Sequence, residues 1–427
     1  MALSNSCART ICALLTLAGA AASASAQWGP PSFQALDFSP GMIEMTPVDV
    51  VGSGDTLVVA YKAIKERGVQ NQVYDSGLWH QNVHYSMPER FAPNGELYET
   101  QMTLFRQSPQ RGGGGDPIKG IPIVVVTKPV GIPQGAYWDM REGANDATLN
   151  FLAVGSYANT AALSADLYAS TIVGTGFTDN SGSVAARRAV SWDTSTGIST
   201  ELSMSKLMVG AEARGMSADG QITVGVAHLG FQGVPFDVSV GIAWDASGQY
   251  QIYDHVTALT SVSGDGAAYA GISTTRSNTK GDINRTSTGQ IFTLDAGDIN
   301  GDGMINFFDD HDSMINDLSF DGGVAVGSIT LPGETERGAF WVYNGSGYDF
   351  FDVSAYLDFY GVTGLEGWSL TTITAVSDDG TVLVGSGIDP LGRTAGWMVT
   401  IPIPTPGAIP LLACGGALAA RRRKRAP

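Results

Sequence analysis

A five-residue signature returns along this chain at a spacing near 50, and a chain that repeats itself at that period must stack its units. The unit is a hydrophobic residue, Ser-x-Asp-Gly, a short alternating run ending in Val-Gly, and Ala-x-Trp after a variable gap. It reads Leu163-Ser164-Ala165-Asp166 with Val173-Gly174 and Ala189 through Trp192, then Met216-Ser217-Ala218-Asp219-Gly220 with Val224-Gly225 and Ala243-Trp244. A third copy is Val262-Ser263-Gly264-Asp265-Gly266 with Ala270-Gly271. The fourth is Leu318-Ser319-Phe320-Asp321-Gly322 with Val326-Gly327 and Ala339-Phe340-Trp341, and the fifth is Val376-Ser377-Asp378-Asp379-Gly380 with Val384-Gly385 and Ala395-Gly396-Trp397. Ser-to-Ser spacings are 53, 46, 56 and 58 residues.

One unit reads as a β-hairpin. Asp-Gly supplies the positive-φ positions of a tight turn, and the Ser or Asp side chain can cap the turn's own amides. The β-branched run that follows stops at the glycine (Gly385 in the last copy), where the backbone can bend. Ala-x-Trp places a small and a very large side chain on one strand face, which suits a wedge between neighbouring sheets. A single unit could not bury such tryptophans, so the units must pack on one another. With 55 glycines in 427 residues and 15% charged side chains, the composition favours a turn-rich β protein. Degenerate copies, Val51-Gly52-Ser53-Gly54-Asp55-Thr56-Leu57-Val58-Val59 and Gly135-Ala136-Tyr137-Trp138, extend the array upstream. The expectation is an all-β propeller of about six to seven four-stranded blades, with a β-solenoid as the alternative. The 107–120 segment, with Gly112-Gly113-Gly114-Gly115, is expected to be a loop at a blade edge, since it lacks the Gly-Lys-Ser/Thr of a phosphate cradle. Apolar residues at 353, 356, 357 and 360 behind Asp352 predict a short capped helix covering a blade.

The two ends read as addresses. Residues 1–26 carry Arg9, an apolar stretch from 11 to 22 and Ala24-Ser25-Ala26 before Gln27, the layout of a secretory signal peptide. Residues 404–427 open with Pro404-Thr405-Pro406-Gly407, continue as an apolar run over 408–420 and end on Arg421-Arg422-Arg423-Lys424-Arg425. Thirteen residues rise about 20 Å as a helix, short of a hydrocarbon core of about 30 Å, so the run is a temporary membrane contact. The basic cluster behind it would stay on the cytoplasmic side. The repeat-built ectodomain is then 27–403. Of 24 basic side chains six lie in the addresses, leaving 18 against 41 acidic ones, a net charge of −23 that repels nucleic acid and anionic lipid. All three cysteines (Cys7, Cys12, Cys414) also lie there, so the mature part has no disulfide and no thiolate-bound metal.

The order of Pro-rich motif, apolar run and basic cluster resembles the PEP-CTERM sorting tail of Gram-negative bacteria, with Thr405 where that family usually has Glu. The resemblance implies export to the cell surface or extracellular matrix and an exosortase-like processing enzyme as partner, cutting near 404–407. The repeats are similar to the HAF family of extracellular repeats over about 160–400, and more weakly over 40–160. The nearest stretch holds Gly367-Trp368-Ser369-Leu370, Ala375-Val376-Ser377-Asp378-Asp379-Gly380, Gly385-Ser386-Gly387 and Ala395-Gly396-Trp397. That family implies an address and an architecture rather than a reaction.

One motif carries defined chemistry. Asp298-Ile299-Asn300-Gly301-Asp302-Gly303-Met304-Ile305-Asn306-Phe307-Phe308-Asp309 has the spacing of a twelve-residue calcium loop. Asp298, Asn300, Asp302, Asn306 and Asp309 supply side-chain oxygens, Met304 its carbonyl, and Gly303 the sharp turn. With Asp rather than Glu at position 12, it resembles a dockerin repeat more than a sensor EF-hand, although dockerins carry two such repeats and this chain has one intact copy. The competing reading is an Asp/Asn/Gly turn without metal. The expected site is a structural calcium clip on an insertion at about 295–317.

Catalytic signatures are sparse. His80 and His84 have helical zinc spacing without the Glu of His-Glu-x-x-His, and in a β context are expected as exposed loop residues. His311, in Asp309-Asp310-His311-Asp312, is expected at a solvated helix start. No Gly-x-Ser-x-Gly elbow occurs, and Glu66, Glu89, Glu96, Glu99 and Glu142 do not pair as a glycosidase requires. The expectation is a non-catalytic surface protein of the envelope or matrix. The alternative is a propeller that binds or cleaves extracellular polysaccharide through exposed aromatic loop residues.

Overall fold

The computed structural model describes residues 30–402 apart from 39–40, 53–56, 67–71, 87–98, 105–122, 129–133, 140–147, 168, 182, 231–237, 275–278, 287–288, 295–311 and 332. The segments 1–26 and 404–427, the glycine run at 112–115 and the expected calcium ligands Asp298, Asn300, Asp302, Met304, Asn306 and Asp309 lie outside the described residues.

Among the described residues, twenty-eight strands form seven four-stranded antiparallel sheets. The first blade holds β2–β5 (Met42–Val51, Val58–Glu66, Gln72–His80, Val83–Ser86), the second β6–β9 (Glu99–Leu104, Ile123–Lys128, Gln134–Asp139, Thr148–Phe151). The third is β10–β13 (Asn159–Ala165, Thr171–Phe177, Arg187–Asp193, Ser199–Glu201) and the fourth β14–β17 (Met208–Met216, Ile222–Leu229, Val238–Asp245, Tyr250–Tyr253). The fifth is β18–β21 (Ala258–Val262, Ala268–Thr274, Thr279–Arg285, Gln290–Thr293) and the sixth β22–β25 (Asp312–Leu318, Val324–Thr330, Arg337–Tyr343, Tyr348–Asp352). The seventh takes β26–β28 (Ser369–Val376, Val382–Ile388, Thr394–Thr400) and, as its outermost strand, β1 (Ser32–Ala35) from the other end of the chain. Ser32 pairs with Thr400 and Ala35 with Trp397. Each sheet packs on the next, and β2 packs on β26–β28, which closes the ring. This is the propeller, with seven blades, and the closure rules out the solenoid.

The core lies between blades rather than within them. Trp192, Trp244, Trp341 and Trp397 are fully buried, each in a cluster shared with the preceding blade. Two indoles also cap the connection that enters their own blade: Trp192 Nε1 donates to the Ala153 carbonyl (2.9 Å) and Trp244 Nε1 to that of Ser203 (2.8 Å). The helix α1 (Val353–Phe359) follows β25 and fills the gap between blades six and seven with Val353, Tyr356 and Leu357. Asp352 caps it as expected, accepting from the Ala355 amide at 3.0 Å.

The Ser-x-Asp-Gly motif is the hairpin between the first and second strand of a blade. Ser217, Ser263, Ser319 and Ser377 are buried. Each hydroxyl donates to the Asp two residues on (2.6–3.0 Å) and accepts from the amide five residues on (2.9–3.0 Å). Gly220, Gly266, Gly322 and Gly380 take φ of +69°, +70°, +64° and +74°, which a side chain would resist. The turns also bond to one another around the ring: Leu167 N to Ala218 O, Ala218 N to Gly264 O, Asp265 N to Phe320 O and Phe320 N to Asp378 O, at 2.8–3.0 Å.

Several local expectations are corrected. In the third blade Asp166, not Ser164, does the turn serine's work: its amide bonds Thr171 O and its carboxylate accepts from the Ser170 and Thr171 amides. The strands do not stop at Val-Gly. Gly385 lies inside β27, which continues to Ile388, and Gly174, Gly225 and Gly327 are equally central. Trp192 and Trp341 pair with Ile172 and Ala325, two residues before those glycines, whereas Trp397 pairs with Gly385 itself, so the last Ala-x-Trp is displaced by two. A Cβ on Gly385 would fall 2.4 Å from the Trp397 ring. His80 and His84 are not loop residues: they lie on adjacent strands, His80 is buried with Nδ1 2.6 Å from Leu57 O, and His84 Nδ1 lies 3.2 Å from the Tyr61 hydroxyl. His311, expected at a helix start, lies outside the described residues, and strand β22 begins at Asp312.

Candidate functional site

The innermost strands create a site through a shared irregularity. In six blades the first strand is bulged against its partner at an equivalent place, by Val48, Leu163, Arg214, Thr260, Asn316 and Thr374. A bulge kinks its strand and re-aims the extra side chain, and these six all line one cavity of ≈ 170 Å³ on the propeller axis. The bulge also explains the glycines. Cβ atoms built on Gly174, Gly225 and Gly327 would lie 1.9, 1.9 and 1.8 Å from the carbonyl oxygens of Ala161, Glu212 and Met314. Only glycine lets the second strand approach the bulged first strand so closely.

In three blades the residue after the bulge bonds to a neighbouring blade. Ser164 Oγ accepts from the Met216 amide (3.2 Å), Asp317 Oδ2 from the Val376 amide (3.1 Å), and Ser261 Oγ donates to Asp317 Oδ1 (3.4 Å). Asn316 Nδ2 reaches the next blade, donating to Ile373 O (2.8 Å) and Thr372 Oγ1 (3.2 Å). Asp49, the first-blade equivalent of Asp317, accepts from the Val50 amide at 2.8 Å. These polar side chains link blades three to four, five to six and six to seven along the channel wall.

The wall at blade four is cationic. Arg214 lines the cavity, about one-third exposed, with Nη2 3.3 Å from Glu212 Oε2. Glu212 also pairs with Arg187 of blade three, and His228 Nε2 lies 3.5 Å from it while His228 Nδ1 sits 3.0 Å from Ser239 Oγ. Burial alone would push the Glu212 carboxyl up. Hydrogen bonds from His228 and Arg187, with the charges of Arg214 and Arg187, outweigh that and hold it at about 2.

The residues predicted to bind calcium lie outside the described residues, in the connection between β21 and β22. Among the described residues no three His, Cys, Asp or Glu side chains gather as a metal site. Sequence reading missed the channel residues, although a signal exists. Arg214, Thr260, Asn316 and Thr374 each stand three residues before the turn serine, as polar interruptions of an apolar strand.

No protein family and no curated protein sequence matches this chain. Among solved structures it is similar to TolB from Acinetobacter baumannii (13% identity, 89% of this chain and 82% of that one, TM-score 0.36). It is also similar to the β-propeller domain of the Trilobed protease from Pyrococcus furiosus (11% identity, 84% and 94%, TM-score 0.44). Both are likenesses of fold at most.

Proposed function

We propose that this chain is an exported, surface-associated, non-catalytic repeat protein of the envelope or extracellular matrix, with a structural calcium site at Asp298, Asn300, Asp302, Met304, Asn306 and Asp309. The supporting observation is one of boundaries. The propeller's first strand begins at Ser32 and its last ends at Thr400, so the folded body occupies the interval between the signal-like segment 1–26 and the tail-like segment 404–427. Mass spectrometry of the native surface protein should find a C-terminus near 404–407; an intact Arg425-Ala426-Pro427 terminus on exported molecules would refute processing. For calcium, the ectodomain should melt higher with the ion than with chelator, and Asp298→Ala with Asp302→Ala should erase the difference. Absence of calorimetric calcium binding to the intact ectodomain would refute the site.

A second reading, binding of extracellular polysaccharide, is favoured by one feature. Phe359 and Tyr360 at the end of α1 are exposed and meet edge-to-face at 5.3 Å, a surface on which a sugar ring can stack. Tyr360→Ala should then abolish any retention on a glycan array, and no retention of the parent protein would leave the first reading alone.

A further inference from the structure

We propose that Ser239 is an activated nucleophile that takes up an acyl group from an ester, with His228 as its base and Glu212 holding that base in place. The inference concerns acylation of this one side chain and stands apart from the export and calcium reading.

Blade four sets the three groups on one face of adjacent strands. His228 on β15 is the register partner of Ser239 on β16, and Glu212 on β14 pairs with Val226, two residues before His228. The Ser239 hydroxyl lies 3.0 Å from His228 Nδ1, and His228 Nε2 lies 3.5 Å from Glu212 Oε1. Arg187 and Arg214 keep the Glu212 carboxylate ionised, so it only accepts hydrogen bonds. That fixes the ring proton on Nε2 and leaves Nδ1 as the acceptor facing the hydroxyl. A serine, a base within hydrogen-bond reach and a third group orienting the base are what an activated nucleophile requires. The longer His228–Glu212 separation is of the kind that tightens as the ring gains charge. Burial follows the same order: Glu212 and His228 are buried, and Ser239 is half-buried beside exposed Val238.

A donor for the carbonyl oxygen stands on the same residue. Gly241 turns its amide away from β15, onto the Val256 carbonyl at 2.9 Å, and β17 ends at Tyr253 opposite Gly241. Strand alternation turns the Ser239 amide the same way, past the end of β17, where no described strand pairs with it. That N–H can receive the oxyanion. The border of the site sets the acyl class. Val238 pairs with Leu229, and the adjoining Gly230 amide donates to the Leu207 carbonyl at 3.0 Å. Leu207 and Val238 are both exposed at this end of the blade, so an apolar acyl chain gains burial there.

In the step itself, Ser239 Oγ bonds to the ester carbonyl carbon while its proton passes to His228 Nδ1. The bond from that carbon to the leaving oxygen then breaks, and the oxygen takes the proton from Nδ1. An alcohol departs, and Ser239 is left as an ester.

The test treats the purified protein with p-nitrophenyl butyrate and maps butyrylated residues by peptide mass spectrometry. Ser239 should be loaded in the folded protein and not in urea, because the relay exists only in the fold. His228→Gln should slow loading about a hundredfold, the scale of a general base. Ser239→Cys keeps a nucleophile at the same place and should be loaded on sulfur. Label confined to lysines, or equal loading of Ser239 in the folded and urea-unfolded protein, overturns the proposal. A folded Ser239→Cys that stays unlabelled at Cys does the same. The comparison with urea uses the parent alone, so the proposal can be refuted even where His228→Gln does not fold.

Discussion

At the scale of single residues, the molecule depends on places where only one side chain, or none, can stand. Gly327 is such a place, since a methyl group there would lie 1.8 Å from the Met314 carbonyl oxygen. Gly327→Ala is therefore expected to cost about 3 kcal/mol or more in chemical denaturation, whereas Gly347→Ala, with nothing within 4 Å and an ordinary φ, should stay within about 0.5 kcal/mol. A similar loss at both positions would mean that the bulge relaxes. Glu212 gives a prediction in pH. Its folded pKa, about 2, lies below the ordinary glutamate value of 4.5, so its contribution is fully present above about pH 5 and is lost as pH falls through 2. The contribution is about 2 kcal/mol once solvent reaching the arginines is allowed for. Unfolding midpoints between pH 6 and pH 2.5 should fall less steeply in Glu212→Gln than in the parent. An unchanged slope would show that the arginines do not stabilise the carboxylate.

At the scale of elements, the repeat was readable because its turn chemistry is local. Ser, Asp and Gly satisfy one another within five residues, and the capped helix at Asp352 is equally local. What lay hidden depends on partners elsewhere. An extra residue in a first strand is visible only against the strand it pairs with, so Arg214 and Asn316 read as stray polar residues rather than as a lining. The two-residue displacement of Trp397 was hidden for a different reason: a shift by two keeps a side chain on the same strand face, and the pattern looks unbroken. Strand β1 is the least local element of all, pairing 32–35 with 397–400. Its seating relies on Phe33, whose ring meets Trp368 edge-on at 5.4 Å in the connection that follows α1. Phe33→Ala should cost about 2 kcal/mol and speed proteolysis at the N-terminal strand before any other site. Cleavage that begins elsewhere would show that β1 does not control the opening of the ring.

At the scale of the whole molecule, seven blades could not be counted from the sequence because the first two depart from the signature and the last is assembled from both ends. That shared blade has a mechanical consequence. Ser32 and Thr400 are paired neighbours, so both ends of the folded body emerge at one point on its rim. Strand β28 is held on one side by β27 and on the other by β1. A pull on the chain beyond Thr400 therefore acts along two hydrogen-bonded ladders at once, loading them in shear instead of peeling an edge strand bond by bond. Removing residues 30–35 leaves a single ladder, and in single-molecule stretching from the C-terminus against a mid-ring attachment the rupture force should drop markedly. Equal forces with and without β1 would place the weak point elsewhere in the ring. A body tethered at its last strand would in this way carry load through its best-supported strand, and its other terminus would act as the clasp.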